Sequence, residues 1–155
     1  MSRASMSAMA DFKHILVAVD FGDSSDQAME LGIELANKYG AALTLVHAYE
    51  IPTYAYPNAS FLVVDLLTPI EEAARKELEK TLAAVQAQVP GAKAVLRRGS
   101  AATEVLSVID ELHADLVVTG THGRRGITRT VLGSVAEKLV RMSPVPVLTV
   151  HRRPE

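Results

Sequence analysis

The sequence predicts an α/β fold, namely an open, parallel sheet of five strands with helices on both faces. Its 155 residues fit about one domain of ordinary size. Short apolar runs rich in β-branched residues alternate along the chain with longer segments in which apolar residues recur at helical spacing. Because parallel strands are joined by right-handed crossovers, this alternation places helices on both faces of one sheet.

The predicted strands are continuous apolar runs, which is typical of strands buried on both faces of a sheet. The third run is the weakest, since it contains lysine and arginine. The five predicted strands are His14 to Asp20, Ala42 to Ala48, Ala92 to Arg98, Asp115 to Thr119 and Val145 to Val150.

The first two helices are predicted from their start and stop residues. Asp23 or Ser24 is expected to cap the first helix, and Gly40 supplies its left-handed stop. The segment Thr68-Pro69-Ile70-Glu71 reads as a capping box with proline at the first helical position, and Pro90-Gly91 ends that second helix.

The other connections follow from periodicity. Residues Tyr49 to Leu67 contain two prolines and no clear period, so a long loop is expected there. Ser100 is expected to cap the third helix, and the last helix runs from about Leu132 to Ser143-Pro144. One domain is therefore expected over residues 12–155, after a flexible arm of residues 1–11.

Composition excludes several functional classes. Lysine plus arginine number 16 against 18 acidic residues, giving a net charge of −2, which disfavours sequence-independent nucleic-acid binding. The chain has no cysteine and no apolar run near the ~18 residues of a membrane span. The histidines lack metal-ligand spacing. We therefore expect a cytoplasmic protein without a protein-built metal site.

Two residues follow strands at the predicted ligand edge of the sheet. In open parallel sheets, ligands bind beyond the carboxyl ends of the strands where the strand order reverses. Asp20 ends the first strand and Gly120 follows the fourth. An aspartate there could instead start a turn or cap a helix, but the two residues together favour ligand contact.

A glycine pattern follows the fourth strand. Gly120 and Gly123 are separated by two residues, and nine more precede Gly133-Ser134. Glycine lets backbone N–H groups approach a ligand, and a serine in the first turn adds a hydroxyl to the positive end of a helix. The pattern therefore indicates a phosphate site, although Gly133 could instead serve helix packing. It is neither a Walker A loop nor the G-x-G-x-x-G of dinucleotide sites.

Three cations lie inside this segment, in a chain whose net charge is slightly negative: Arg124, Arg125 and Arg129. They could contact phosphate. They could equally form a solvated loop.

The spacing G-x2-G-x9-G-(S/T) resembles the nucleotide-binding motif of the universal stress protein family. The similarity extends from Phe12 to His151, because the family's first strand, second strand and closing Pro-Val-Pro-Val strand are similar to ILVAVD, LTLVHA and the segment Ser143 to Val150. The resemblance implies a Rossmann-like fold of the adenine nucleotide alpha hydrolase type. It also implies a stress-response or signalling module that binds ATP, with AMP possible and Mg²⁺ bound through the phosphates, and that forms a homodimer through its C-terminal strand.

The resemblance also implies roles for individual residues at the base and ribose. Asp20 would bind the ribose hydroxyls, and Gly120 would flank the ribose. Val19 and the backbone of Ala48 would line the adenine slot. Gly22 departs from the family pattern, which commonly has serine there, and Ser24 would substitute for it.

The phosphates would be held by the remaining residues that the resemblance assigns to the site: Gly123, Gly133, Ser134 and the amide of Val135.

Two other functions stay open at this point: a slow ATPase or phosphoryl-transfer enzyme, and a regulatory dimer that has kept the fold without the ligand. An enzyme would need an oriented water and a charge clamp. His47 and His122 are the candidate bases, although a histidine with structural hydrogen bonds is the commoner situation. No catalytic residue is assigned.

Overall fold

Apolar strands buried on both faces form the centre of the computed structural model, which describes residues 11–51, 60–122 and 132–152, with the side chains of residues 60–67 excluded. In chain order its elements are β1 (His14–Ala18), α1 (Asp23–Tyr39), β2 (Ala42–Tyr49), α2 (Ser60–Gln86), β3 (Lys93–Arg98), α3 (Ala101–Leu112), β4 (Leu116–Gly120), α4 (Ser134–Met142) and β5 (Val147–Val150). The strands form one parallel five-stranded sheet in the order β3-β2-β1-β4-β5. The predicted fold is confirmed.

Helices cover both faces of the sheet. Ile15 and Val17 of β1 point into a core that α1 and α2 close, and Leu16 points into a second core that α3 and α4 close. These three side chains are fully buried. Because each face of β1 meets a helix layer, its buried positions have to be apolar, which explains the unbroken apolar run after His14 in the sequence.

The strand order reverses between β1 and β4. β1 pairs with β2 on one side and with β4 on the other, and the chain crosses from the β3 edge to β4 through α3. The carboxyl ends of β1 and β4 therefore lie side by side, with helices leaving in opposite directions. This arrangement opens a crevice at that edge.

The predicted cap of α1 is wrong, while its predicted stop is confirmed. Gly22 holds the cap position without a side-chain bond. Ser24 is not the cap because it lies inside the helix, and its hydroxyl donates to the carbonyl of Val150 at 3.1 Å. Gly40 adopts the left-handed conformation, with φ 62°.

The start predicted for α2 is also wrong. The helix begins at Ser60, within the segment interpreted as a loop, and Pro69 lies inside it. A proline inside a helix removes one backbone donor, here the one for the carbonyl of Asp65, and the helix can continue on both sides at that cost. Glu71 does not close a capping box; it pairs with Arg75 at 2.8 Å.

Three sequence predictions fall outside the described residues. Residues 1–10 hold nearly all of the predicted arm, and residues 52–59 hold part of the predicted loop. Residues 123–131 contain Gly123 and the three arginines of the glycine-rich segment. In the part of the chain that the structure does describe, no helix is long and apolar enough to cross a membrane.

Candidate functional site

A cleft lies at the carboxyl edge of the sheet, between the ends of β1 and β4. Its empty space is about 550 Å³, counting the part that opens to solvent. The ends of β1, β2 and β4 form its floor, and residues from the first turns of α1, α3 and α4 form its walls. This is the position at which open parallel sheets bind ligands.

Seven of the eight residues assigned to a ligand from the sequence line this one cleft: Val19, Asp20, Ala48, Gly120, Gly133, Ser134 and Val135. The eighth, Gly123, lies outside the described residues. The fold thus brings together residues that are distant in the sequence. Val19 and Val135, for example, are 116 positions apart and line the same cleft.

The turn from β1 to α1 is held by its own hydrogen bonds. The amide of Asp20 donates to the hydroxyl of Ser25 at 3.1 Å, and its carboxylate oxygen Oδ1 accepts the amide of Gly22 at 2.9 Å. Phe21 adopts φ 65°, which bulky residues rarely do. The conformation of this turn therefore depends on side chains that surround it.

Thr121 fixes the beginning of the segment that leaves β4. It is completely buried, and its amide donates to the carbonyl of Val150 at 3.0 Å. Its own carbonyl accepts the amide of Gly133 at 2.6 Å, and its hydroxyl lies 3.0 Å from Nδ1 of His122. Thr121 thus ties the start of α4 to the sheet.

The N-terminus of α4 has no cap from a side chain. Gly133 occupies the cap position with φ −61° and ψ 157°, so a positive φ is not the reason for glycine here. The first intrahelical bond runs from the amide of Glu137 to the carbonyl of Gly133. The amides of Ser134, Val135 and Ala136 consequently have no acceptor within the helix, and the positive end of its dipole lies at the cleft.

Gly120 is required for packing. An added Cβ would lie 2.4 Å from the hydroxyl oxygen and 2.8 Å from the backbone carbonyl carbon of Ser24. The second atom belongs to the backbone of α1 and cannot move aside cheaply. The close contact of β4 with α1 therefore explains this glycine without a ligand, an explanation that the sequence interpretation did not include.

The α1 side of the cleft is acidic. Burial raises the pKa of Asp26 above its ordinary value, and the nearby charges of Asp23, Asp20 and Glu30 raise it further. A ligand with hydroxyl groups suits this side, because carboxylates accept hydrogen bonds. An anionic group suits the start of α4, where free amides donate them.

Between these polar ends the cleft offers a predominantly apolar surface. Ala18, Val46 and Val105 line it together with Ala48 and Ala101. Small apolar side chains beside the exposed end of a strand can accommodate a flat ring and leave backbone groups to bind its edge.

Sequence reasoning did not assign several cleft residues: Ser25, Ala101, Thr119, Thr121 and His122. Thr121 and His122 lie between Gly120 and Gly123, at positions whose residue type the glycine motif does not specify, so the motif did not identify them. Of the candidate bases, His47 has its Nδ1 bonded to the carbonyl of Val19 at 2.7 Å. Nε2 of His122 is buried and has no hydrogen-bond partner among the described residues.

Comparison with known sequences identifies relatives along nearly the whole chain. A universal stress protein of Thermus aquaticus is 35% identical over 140 residues, which are 90% of this chain and 99% of that protein. Universal stress protein A homolog 1 of Coxiella burnetii is 32% identical, with 90% of this chain and 96% of that protein covered.

Solved structures share the fold. Universal stress protein UspA from Lactobacillus plantarum superposes with a TM-score of 0.80 at 22% identity, covering 90% of this chain and 97% of that one. A universal stress protein in complex with cAMP gives 0.68 at 24% identity, covering 92% and 99%. A universal stress protein family protein from Arabidopsis thaliana with AMP bound gives 0.65 at 19% identity, covering 91% and 92%.

The sequence model of the universal stress protein family matches residues 11–151. These residues include all the described strands and helices and both sides of the cleft. The chain belongs to the universal stress protein family.

Proposed function

We propose that this protein binds an adenine nucleotide in the cleft between β1 and β4, with ATP as the ligand and AMP as the alternative. The protein acts as a stress-response or signalling module in the cytoplasm, and its occupancy is read by partner proteins. The observation that carries the proposal is the uncapped N-terminus of α4, which lies at the same cleft as Asp20.

The phosphates bind at the start of α4. The amides of Ser134 and Val135 have no acceptor inside the helix, and the Ser134 side chain stands beside them at an exposed position. The amide of Gly133 is already used by the carbonyl of Thr121. Gly133 therefore contributes close backbone approach rather than a donor. Gly123 contributes one further backbone amide in this proposal.

The nucleoside lies toward β1 and β2. Asp20 accepts hydrogen bonds from the ribose hydroxyls. One lone pair of its carboxylate accepts the amide of Gly22, and the others remain for the ribose. The adenine ring rests between Val19 and the backbone of Ala48, next to the small apolar side chains of the cleft floor. Gly120 flanks the ribose.

Magnesium accompanies ATP through the phosphate oxygens. Within the described ranges no group of three or more histidine or acidic side chains is placed to hold a metal ion. The free amides of α4 suit phosphate oxygens, and phosphates with water are the ligands that Mg²⁺ commonly keeps in nucleotide sites. The ion would supply charge neutralisation for the phosphates.

Two structural neighbours support adenine nucleotides as the ligand class, since one is described in complex with cAMP and another with AMP bound. Both are under 25% identical to this chain. Their ligands therefore suggest the class without fixing which nucleotide binds here.

The experiment is titration of the purified protein with ATP, AMP and cyclic AMP by calorimetry, with and without Mg²⁺, followed by an assay of phosphate release. Saturable ATP binding without turnover supports the binding module. Steady phosphate release would make the protein an ATPase. Failure of all three nucleotides to bind would leave a regulatory dimer and overturn the proposal.

We also propose that β5 mediates a homodimer. β5 is an edge strand of the sheet. Large apolar side chains are exposed on β5 itself, with Leu148 at 39%, and on α4, with Val140 at 52% and Met142 at 55%. An open strand edge beside apolar side chains is commonly covered by a symmetric copy. Leu148→Lys should shift the sedimentation coefficient from dimer to monomer, whereas Glu79→Lys on α2 should not. A monomeric wild-type protein at micromolar concentration would refute the dimer.

A further inference from the structure

We infer that His47 and Phe21 are positioning residues for the nucleoside half of the cleft. Together they hold the backbone of Val19 and Asp20 in the conformation in which that backbone meets a ligand. The inference rests on the proposed function and adds to it two residues that do not themselves line the cleft.

The first contact is a hydrogen bond from β2 to the end of β1. Nδ1 of His47 lies 2.7 Å from the carbonyl oxygen of Val19. A carbonyl oxygen can only accept, so Nδ1 carries the hydrogen whether the ring is neutral or protonated. The amide of Val19 donates to the carbonyl of Val46 at 2.9 Å. Both backbone groups of Val19 are therefore held by β2.

The second contact is between rings. The Phe21 ring lies 4.4 Å from the imidazole of His47, centroid to centroid, at an interplanar angle of 45°. Phe21 has φ 65°, a left-handed conformation that costs a non-glycine residue roughly 1–2 kcal/mol. The contact with His47 and with the buried core of α1 and α2 stabilises this conformation.

Asp20 lies between the two contacts. His47 holds the residue before it, and the ring of Phe21 holds the residue after it against the same imidazole. The amide of Asp20 is itself held by its bond to the hydroxyl of Ser25 at 3.1 Å. One side chain on a neighbouring strand thus fixes both flanks of the residue that we assign to the ribose.

A second histidine at the opposite end of the sheet provides a matched control. Nε2 of His14 lies 2.8 Å from the hydroxyl of Thr44, and this bond likewise joins β1 to β2. His14 begins β1, whereas the cleft lies beyond the end of that strand. Loss of His14 therefore costs a comparable bond in the same pair of strands without touching the cleft.

The experiment compares His47→Phe, His47→Asn, Phe21→Gly and His14→Phe. Phenylalanine at position 47 keeps a ring and removes the donor, and asparagine keeps a donor near Nδ1 and removes the ring. Glycine at position 21 adopts a positive φ without strain, so this variant keeps the fold while it loses the ring. The readouts are the melting temperature of the empty protein and the affinities for AMP, ATP and inorganic tripolyphosphate.

We expect each change at positions 47 and 21 to weaken AMP and ATP about five-fold, the scale of one net hydrogen bond or ring contact. Tripolyphosphate should bind as to the wild type, because the start of α4 is held by Thr121 and not by His47. His14→Phe should lower the melting temperature without changing nucleotide affinity. A general loss of stability would not lower the affinity for nucleotides while leaving the affinity for tripolyphosphate unchanged.

Three results overturn the inference alone. The first is wild-type nucleotide affinity in folded His47→Phe and Phe21→Gly, the second is an equal loss of affinity in His14→Phe, and the third is equal weakening of tripolyphosphate and nucleotides. If the wild-type protein binds none of the nucleotides, the proposed function fails first and the inference fails with it.

Discussion

The N-termini of α1 and α4 reach the same cleft with the same kind of cap residue, yet they present opposite chemistry. Each helix follows a central parallel strand, and its cap residue is a glycine without a side-chain bond, Gly22 in one and Gly133 in the other. The first turn of α1 is acidic and its hydroxyls are already used. The first turn of α4 begins with an exposed serine and free amides.

Side chains inside the protein make this difference. Ser24 and Ser25 of α1 are buried, and their hydroxyls bond to Val150 and Asp20. Asp23 is exposed and pairs with Arg152 at 3.0 Å. A helix N-terminus at the carboxyl edge of a sheet is therefore not by itself an anion site, because the residues of its first turn decide whether its amides and its potential remain available.

The largest effect should come from Gly120→Ala, which tests how closely α1 packs on β4. The new Cβ would meet the backbone carbon of Ser24 at 2.8 Å, and overpacking of this kind costs about 1–3 kcal/mol of folding free energy. Urea denaturation measures the loss. Gly91→Ala is the control, since a Cβ there meets nothing within 4 Å, and its stability should stay close to the wild type. Equal stability of the two variants would show that α1 can move away from β4.

Gly133→Val tests whether glycine is needed at this position for the close approach of a ligand or for the packing of α4. The native φ of −61° and ψ of 157° are accessible to valine, so the empty protein should lose little stability. ATP affinity should fall about 30-fold, or about 2 kcal/mol, because the side chain stands where phosphate is expected. Gly123→Val is predicted to act in the same way.

The competing explanation for Gly133 forecasts the reverse order. If this glycine serves only the packing of α4 on the sheet, Gly133→Val should destabilise the empty protein severely and Gly123→Val should do little. Melting temperature and ATP affinity of both variants distinguish the two explanations. A folded Gly123→Val protein with normal ATP affinity would end the phosphate assignment.

Asp20→Asn should have an effect of similar size on ATP binding, but one confined to the ribose. Asparagine keeps an oxygen for the amide of Gly22, so the turn is preserved, while the ribose loses a charged acceptor worth about 1.5–3 kcal/mol. Calorimetry should show weaker ATP binding but unchanged affinity for 2′,3′-dideoxy-ATP. The Asp20 assignment is untenable if both ligands weaken equally or if ATP affinity is unchanged.

The alternation of apolar runs was sufficient to predict the sheet and its helices, because the central strands β1 and β4 are buried on both faces and have to be apolar there. The left-handed stop at Gly40 was also predictable, since it depends on one residue. The start of α2 was not. Thr68-Pro69 is equally compatible with a first turn and with a proline inside a longer helix, and Ser60 shows that the helix continues upstream.

For the candidate site, the strand ends and the glycine spacing located Asp20, Gly120, Gly133 and Ser134, and the family resemblance located the other assigned residues that meet at the cleft. The purpose of Gly120 could not be predicted, because its contact with Ser24 joins residues 96 positions apart. The contact of His47 with Val19 and Phe21 is equally non-local. Sequence patterns report periodicity within an element, whereas these contacts arise only when two elements pack.

The smallest effect concerns the acidic first turn of α1. Burial and the charges of Asp23, Asp20 and Glu30 raise the pKa of Asp26, so the folded protein holds this proton more tightly than the unfolded chain does. Stability therefore falls as pH rises through the range between the ordinary and the raised pKa, and the whole penalty is present at pH 7. Asp26→Asn removes it. Because Asp26 is exposed, the gain should be no more than about 0.5 kcal/mol, a degree or two in melting temperature.

Thermal denaturation at pH 7 and pH 3 tests this sign. The melting temperature of Asp26→Asn should exceed that of the wild type at pH 7 and match it at pH 3, where the unfolded chain also carries a protonated Asp26. Glu34→Gln, the same chemical change farther along α1, is the control. Bound ATP should enlarge the advantage of Asp26→Asn only if the phosphates lie near α1, because their negative charge would repel the carboxylate of Asp26 further. An unchanged advantage in the presence of ATP agrees with phosphates at α4, whereas an enlarged advantage would contradict that assignment.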